Sequence, residues 1–263
     1  MARSHCIATA LIVFVVSSAS AQTTPLPAVA AEDRSGVLTR GAFFVALAGM
    51  QTDDPRFSLV QRSRADIDLV GYRSGRINFL MDAELVMGSE RRSFDLNQAN
   101  VIFEASSSFR IGGLELAGVV HHVSRHIVDR AFDRVPAWHT IGARATQAFR
   151  VRESTLAITV DYGRVVQHTF VDYTWTSQLT GRVDGRVAAA VRLFATASAG
   201  LVGVDEAIVH RGPQVGGRVE GGVHFAARAG ADLFGAYERR VDGYPTSREP
   251  SSWFEVGFRL GTP

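Results

Sequence analysis

The feature of this sequence that most restricts its fold is an alternation of apolar and polar residues. It is sustained over segments of about ten to fourteen residues and repeated along the chain. Between Arg76 and Met87, the residues Ile77, Phe79, Met81, Ala83, Leu85 and Met87 share one face, while Arg76, Asn78, Asp82 and Glu84 take the other. Leu156, Ile158, Val160 and Tyr162 are likewise set against Thr155, Thr159 and Asp161, and Val215, Val219, Val223 and Phe225 against Arg218, Glu220 and His224. Phe254, Val256, Phe258 and Leu260 oppose Glu255 and Arg259. A period of two belongs to the β-strand, whose successive side chains point to opposite faces. Strands of soluble proteins cluster near about five or six residues. These segments are longer, and charges recur in the middle of their polar faces: Asp66, Asp68, Asp82, Glu84, Arg182, Arg192 and Arg218. Strands that cross a bilayer, with lipid on one face and a polar lumen on the other, account for both properties.

The pattern predicts an all-β fold, a closed antiparallel transmembrane β-barrel of twelve strands. They are expected near 38–51, 58–71, 76–88, 98–110, 114–127, 137–151, 154–167, 173–185, 188–202, 213–225, 228–240 and 251–262. Reading the first hairpin differently gives ten. Connectors at 72–75, 111–113, 152–153 and 226–227 are tight, and those at 52–57, 89–97, 128–136, 203–212 and 241–250 are longer and polar. With the N-terminus in the periplasm, the tight turns fall on the periplasmic side and the long loops outside. An even strand number returns the C-terminus to the periplasm, as in bacterial barrels. Asp66, Asp82, Glu84, Arg182, Arg192, Arg218, Glu220 and Arg259 are then expected to point inward and pair, leaving at most a narrow path.

The start of the chain reads as a secretory signal. A basic start, an apolar run from Cys6 to Val16 and Ala19-Ser-Ala21 before Gln22 fit an exported precursor. The expected organisation is a signal peptide at 1–21, a flexible periplasmic lead-in at 22–37 and the barrel at 38–263. Cys6 leaves with the signal, so the mature chain has no thiol chemistry. The formal net charge is +2, without the concentrated basic patch of a nucleic-acid binder. These features place the protein in the outer membrane of a Gram-negative bacterium, with lipids as its surroundings. No phosphate loop, zinc spacing or dinucleotide fingerprint occurs.

The chemistry-bearing stretch runs from Leu114 to His126. One face is Leu114, Leu116, Gly118, Val120, His122, Ser124 and His126; the other is Glu115, Ala117, Val119, His121, Val123 and Arg125. The phase of Leu114 and Leu116 puts His122, Ser124 and His126 on the lipid side, near the outer headgroup level. On the next strand Arg144, Thr146 and Arg150 define the polar face, so His139 emerges beside this trio. A hydroxyl near an imidazole, with a third group to orient that base, is the arrangement of an activated nucleophile.

His122-Val-Ser124, followed across a loop by Trp138-His139, resembles the outer membrane phospholipase A family. Members are twelve-stranded barrels with a His-x-Ser strand, a Trp-Asn on the next, and the triad on the barrel exterior. The resemblance implies Ser124 as nucleophile, His122 as general base, and His139 in the place of the orienting asparagine. It covers about thirty residues. It departs in having Arg125-His126 where the phospholipase has Asn-Gly, and in lacking a clear counterpart of the strand that carries its calcium site. Outer-membrane lipid A deacylases share the His-x-Ser element on a smaller barrel. The string from His122 to Asp129 also resembles a group of uncharacterised barrels with a His-x-Ser-x-His-x-x-Asp signature.

Two functional classes follow: a lipid-active serine esterase of the outer leaflet, or a non-enzymatic barrel, either a narrow pore or a structural protein. In the second class His121, His122 and His126 are interfacial residues with rings at the water boundary. Hard cations favour clustered carboxylates, which makes Asp53, Asp54, Asp129 and Asp133 candidate calcium ligands. The competing reading of Arg125, Asp129, Arg130, Asp133 and Arg134 is a solvated, salt-bridged outer loop.

Overall fold

The computed structural model describes residues 35–132, 134–226 and 229–262. The expected signal peptide and residues 22–34 of the lead-in lie outside the described residues. Twelve strands follow in order: β1 Gly36–Gln51, β2 Leu59–Tyr72, β3 Gly75–Gly88, β4 Asp95–Ile111, β5 Leu114–Ile127, β6 Ala137–Val151, β7 Ser154–Thr169, β8 Tyr173–Ala188, β9 Val191–Val204, β10 Gln214–Phe225, β11 Gly230–Arg240 and β12 Ser251–Gly261. Each pairs antiparallel with its sequence neighbours, and β1 pairs with β12, closing the barrel. The expected count of twelve and the expected closure both hold. The first strand begins at Gly36 rather than 38.

Connections mostly alternate in length, as expected, the three-residue β7–β8 connection at 170–172 being the exception at the loop end. Two residues join β2 to β3, β4 to β5, β6 to β7 and β8 to β9, whereas 52–58, 89–94, 128–136, 205–213 and 241–250 are longer loops at the other end. The tight turns use left-handed backbone at Gly112 (φ 59°) and Arg152 (φ 55°). Outward-facing side chains are the apolar set. Val256 is 66% exposed, Leu233 58% and Ile141 55%, which in a spanning barrel is contact with hydrocarbon.

The interior is filled by ion pairs. Arg62 donates to Glu84 at 2.9 Å and to Glu255 at 2.8 Å. Arg240 donates to Glu84 and Glu238, both at 2.9 Å, and Arg218 to Glu238 at 2.9 Å. Arg259 joins Glu220 at 2.7 Å to Asp232 at 3.0 Å. Nearer the tight-turn end, Arg76 bridges Asp68 at 3.0 Å and Glu115 at 2.8 Å. Arg192 departs from the expected pairing. It has no ion pair to a described residue, and its register partners are Arg186 and His224.

The lumen departs further from the expected polar interior. Ala46, Ala48, Val60, Val86, Phe194, Phe234 and Trp253 form one buried apolar cluster with Phe57 and Tyr244 from the loops. Ile102, Val123, Trp138, Val171, Tyr173, Val202 and Val241 form a second. Above them, Arg211 reaches Asp172 at 2.7 Å and Asp242 at 2.8 Å, while the Tyr173 hydroxyl donates to Asp242 at 2.8 Å. Arg248 adds a contact to Asp172. Arg125 was expected in a solvated loop. It is instead 2% exposed and points into the barrel, donating to the carbonyls of Asp242 and Gly243. Its place on the polar face of β5, opposite Ser124, is the physical reason. These contacts latch the 205–213 and 241–250 loops and the β7–β8 connection across one end of the lumen.

Two outcomes follow. Replacing Arg62 by alanine strands Glu84 and Glu255 without one of their cations. Such one-sided breaks of buried pairs cost about 3–5 kcal/mol, so urea unfolding followed by heat-modified gel mobility is expected to show a lower midpoint. Arg211→Ala is expected to leave the barrel folded but release the latch, so that proteinase K in detergent micelles cuts within 205–213 faster than in the wild type.

Candidate functional site

The outward face of β5 continues from its apolar start to the loop end, where it carries His122, Ser124 and His126. Register fixes the neighbours: His122 lies opposite Phe103 on β4 and His139 on β6, and Ser124 opposite Val101 and Ala137. The structure therefore brings His122 and His139 together, with ring centroids 4.4 Å apart and planes tilted by 36°. Phe103 stacks on the other side of His122 at 6.3 Å. Aromatic and imidazole rings in such a row suit the boundary between headgroups and acyl chains.

Ser124 is bonded to a different base from the one the phospholipase resemblance implies. Its Oγ is 3.2 Å from His126 Nε2, whereas His122 Nδ1 has no hydrogen-bond partner among the described residues. Both histidines are two residues from the serine on one strand face, so spacing alone does not choose between them. Side chains on a strand lean along it, and here the imidazole nearer the loop end meets the hydroxyl. Ser124 itself is only 8% exposed. His121, grouped above with the interfacial histidines, faces the lumen, its Nδ1 3.8 Å from Glu104 Oε2.

The carboxylates considered for calcium are engaged by arginines. Arg56 donates to both oxygens of Asp54, at 2.9 Å and 2.6 Å, and Arg130 Nε donates to Asp129 at 2.8 Å. Asp53 is exposed on the same loop as Asp54, and Asp133 lies outside the described residues. Among the described residues no three metal-ligating side chains gather at one place. Asp54 and Asp129 are thus each paired with an arginine of their own loop.

The Arg56 hydrogen bond holds Asp54 below the ordinary carboxylate range, against a smaller opposing effect of burial. The Arg130 hydrogen bond does the same to Asp129. A depressed carboxylate stabilises the fold above its unfolded pKa, near about 4, and loses that contribution as pH falls through the folded value. Loops 52–58 and 128–136 are thus expected to loosen only below about pH 4. Amide exchange at pH 7 and pH 3, corrected for intrinsic rates, checks this.

Closure, apolar exterior and ion-paired interior define a transmembrane β-barrel of the outer-membrane type. No protein-family model matches the chain, and no curated protein sequence is similar to it. Solved structures of outer-membrane proteins match over most of the chain. A NanC porin structure covers 83% of this chain and 97% of its own, with a TM-score of 0.50 and 8% identity. The KdgM porin in complex with disordered oligogalacturonate covers 83% and 98%, with a TM-score of 0.48 and 6% identity. OmpT of Vibrio cholerae covers 84% and 96%, with a TM-score of 0.44 and 10% identity. At 8% identity the likeness to the NanC porin structure is one of fold alone. The phospholipase likeness of His122-Val-Ser124 rests on the sequence motif.

Proposed function

We propose that this protein resides in the outer membrane of a Gram-negative bacterium and works from its lipid-facing wall, as a serine esterase of outer-leaflet lipids. The observation that carries the reading is the 3.2 Å contact between Ser124 Oγ and His126 Nε2 on the outward face of β5. A Ser–His pair within hydrogen-bond reach is the minimum of base-activated nucleophilic catalysis.

With the ring proton on Nδ1, His126 Nε2 accepts the serine proton as Oγ adds to an ester carbonyl of a phospholipid or a lipid A acyl chain. Collapse of the tetrahedral species breaks the ester C–O bond, and His126 returns the proton to the departing alkoxide. Water, deprotonated by the same imidazole, then adds to the acyl-serine, and the fatty acid leaves as the acyl C–Oγ bond breaks and the imidazolium returns its proton to Ser124 Oγ. In this reading His122, stacked between Phe103 and His139, helps to seat the lipid headgroup beside the serine.

A second reading, a non-enzymatic structural barrel, draws support from the 8% exposure of Ser124 and from the filled lumen. Purified wild type, Ser124→Ala, His126→Ala and His122→Ala, assayed on phospholipid and lipid A with and without calcium, separate the two. The esterase reading expects fatty-acid release that Ser124→Ala abolishes and His126→Ala lowers by about 100-fold or more, the usual contribution of a general base. Absence of release by the wild type, or equal release by Ser124→Ala, leaves the structural reading. Loss in His122→Ala with retention in His126→Ala returns the base to His122.

A further inference from the structure

The outward faces of β5–β12 carry no aspartate or glutamate, because strand phase turns every carboxylate of these strands into the barrel. Arg164 nevertheless stands on that outer surface. It follows Leu156, Ile158, Val160 and Tyr162 in phase along β7, and it is exposed. Its neighbour Gly163 faces the other way, where a Cβ would lie 3.1 Å from the Thr140 side chain inside the barrel. Lumen arginines such as Arg62 and Arg144 each meet two carboxylates. Arg164 has neither an ion pair nor a side-chain hydrogen bond among the described residues. A guanidinium on the lipid face is costly at mid-depth and tolerated only near the interface, and an ionisable group kept there points to a polar partner. The wall offers none, so the partner must come from the lipid side.

The surroundings fix both the depth and the chemistry. Arg164 lies opposite Ile141 on β6 and Trp175 on β8, the last register pair between β7 and β8. Tyr162 and Trp175 stack at 6.2 Å, as residues of an interfacial aromatic girdle. The indole fills the space that a Cβ at Gly203 would need, so the ring lies along the wall. One step towards the loops, Gln167 is opposite His139, which is opposite His122. An exposed amide and an imidazole thus join the guanidinium on one outward surface.

We propose that Arg164, with Gln167 and His139, binds a phosphate of lipid A in the outer leaflet, its sugar resting on Trp175 and Tyr162. The guanidinium fork matches phosphate oxygens two at a time, and amphipathic aromatic rings suit a ligand that is apolar at one end and wet at the other. A phosphate monoester on a sugar offers three free oxygens to these donors and a ring to the indole. The phosphodiester of phosphatidylglycerol offers two oxygens and no ring. The inference rests on the outer-leaflet placement proposed above and deepens it by naming the lipid, since the row from Gln167 through His139 to His122 leads to the strand face that carries Ser124.

Native mass spectrometry of the full protein in detergent micelles tests this, with lipid A, chemically dephosphorylated lipid A and phosphatidylglycerol as probes. The expected result is saturable binding of lipid A and binding of both comparators weaker by about tenfold or more. Arg164→Gln is expected to lose about tenfold in lipid A affinity, Arg164→Lys less, and Gln167→Leu about threefold. Gln167→Leu carries the test if Arg164→Gln fails to fold, as judged by heat-modified gel mobility. The proposal is overturned if the wild type shows no saturable binding of lipid A, or if the folded variants bind it like the wild type. It is also overturned if dephosphorylated lipid A or phosphatidylglycerol binds as tightly. Binding is read without turnover, so a wild type that holds lipid A but releases no fatty acid sinks the esterase reading and supports this one.

Discussion

The structure depends on closing the sheet. In hydrocarbon an unpaired strand edge has no water to satisfy its N–H and C=O groups, so a sheet that spans a bilayer survives only as a barrel without edges. Here closure is made by β12 against β1, from Phe44 opposite Gly261 to Gln51 opposite Phe254. The seam is tight. A Cβ at Gly257 would come within 2.4 Å of the Leu47 carbonyl oxygen, and one at Gly261 within 2.6 Å of that of Phe43. Thr262 extends the junction, its backbone N–H donating to Phe43 O at 2.8 Å. Glycine at these positions lets the last strand approach the first closely enough to complete the ladder.

Once the sheet is closed, alternation sorts every strand residue to lipid or lumen, and the lumen must neutralise what it receives. A buried charge is expensive unless paired and hydrogen-bonded, which is why the carboxylates of Glu84, Glu238 and Glu255 share Arg62, Arg218 and Arg240 rather than standing alone. Trp253 belongs to both halves of this interior. Its Nε1 donates to Glu255 at 2.8 Å while its ring stacks on Phe57 at 5.0 Å, joining the ion-pair network to the apolar plug beneath the loops. Twelve strands enclose little room, and side chains of this size fill most of one half of it.

The barrel was legible in the sequence because a period of two over a long segment is a property of consecutive residues. β5 and β6 begin and end where the alternation does. Val60 and Val86 show what the pattern conceals. They lie in phase with the charged lumen residues Arg62 and Glu84, and Phe57 and Tyr244, arriving from distant loops, join them in one buried apolar cluster. Arg125 is the converse case. Its strand phase put it inward, but its neighbours Asp129 and Arg130 suggested a solvated loop, and its carbonyl partners lie more than a hundred residues away in sequence. The candidate site divides in the same manner. The shared face and the meeting of His122 with His139 follow from phase and register, whereas the choice of His126 as partner of Ser124 depends on side-chain rotation, which spacing does not encode.

The two faces of β5 are mechanically linked. Val123 and Arg125, the inward neighbours of Ser124, are 3% and 2% exposed, one packed into the cluster around Trp138 and the other clamped to the 241–250 loop. The Arg125 backbone N–H also donates to Pro136 O at 2.9 Å, tying the strand to the residue just before β6. The backbone that carries the serine and histidine on its outward face is therefore braced from behind by the contacts of Val123 and Arg125 inside the barrel. A reactive pair needs a fixed geometry, and sites on strands held by packed neighbours keep it better than sites on loops. In this barrel the residues that pack the lumen behind β5 also stiffen the wall that carries Ser124 and His126.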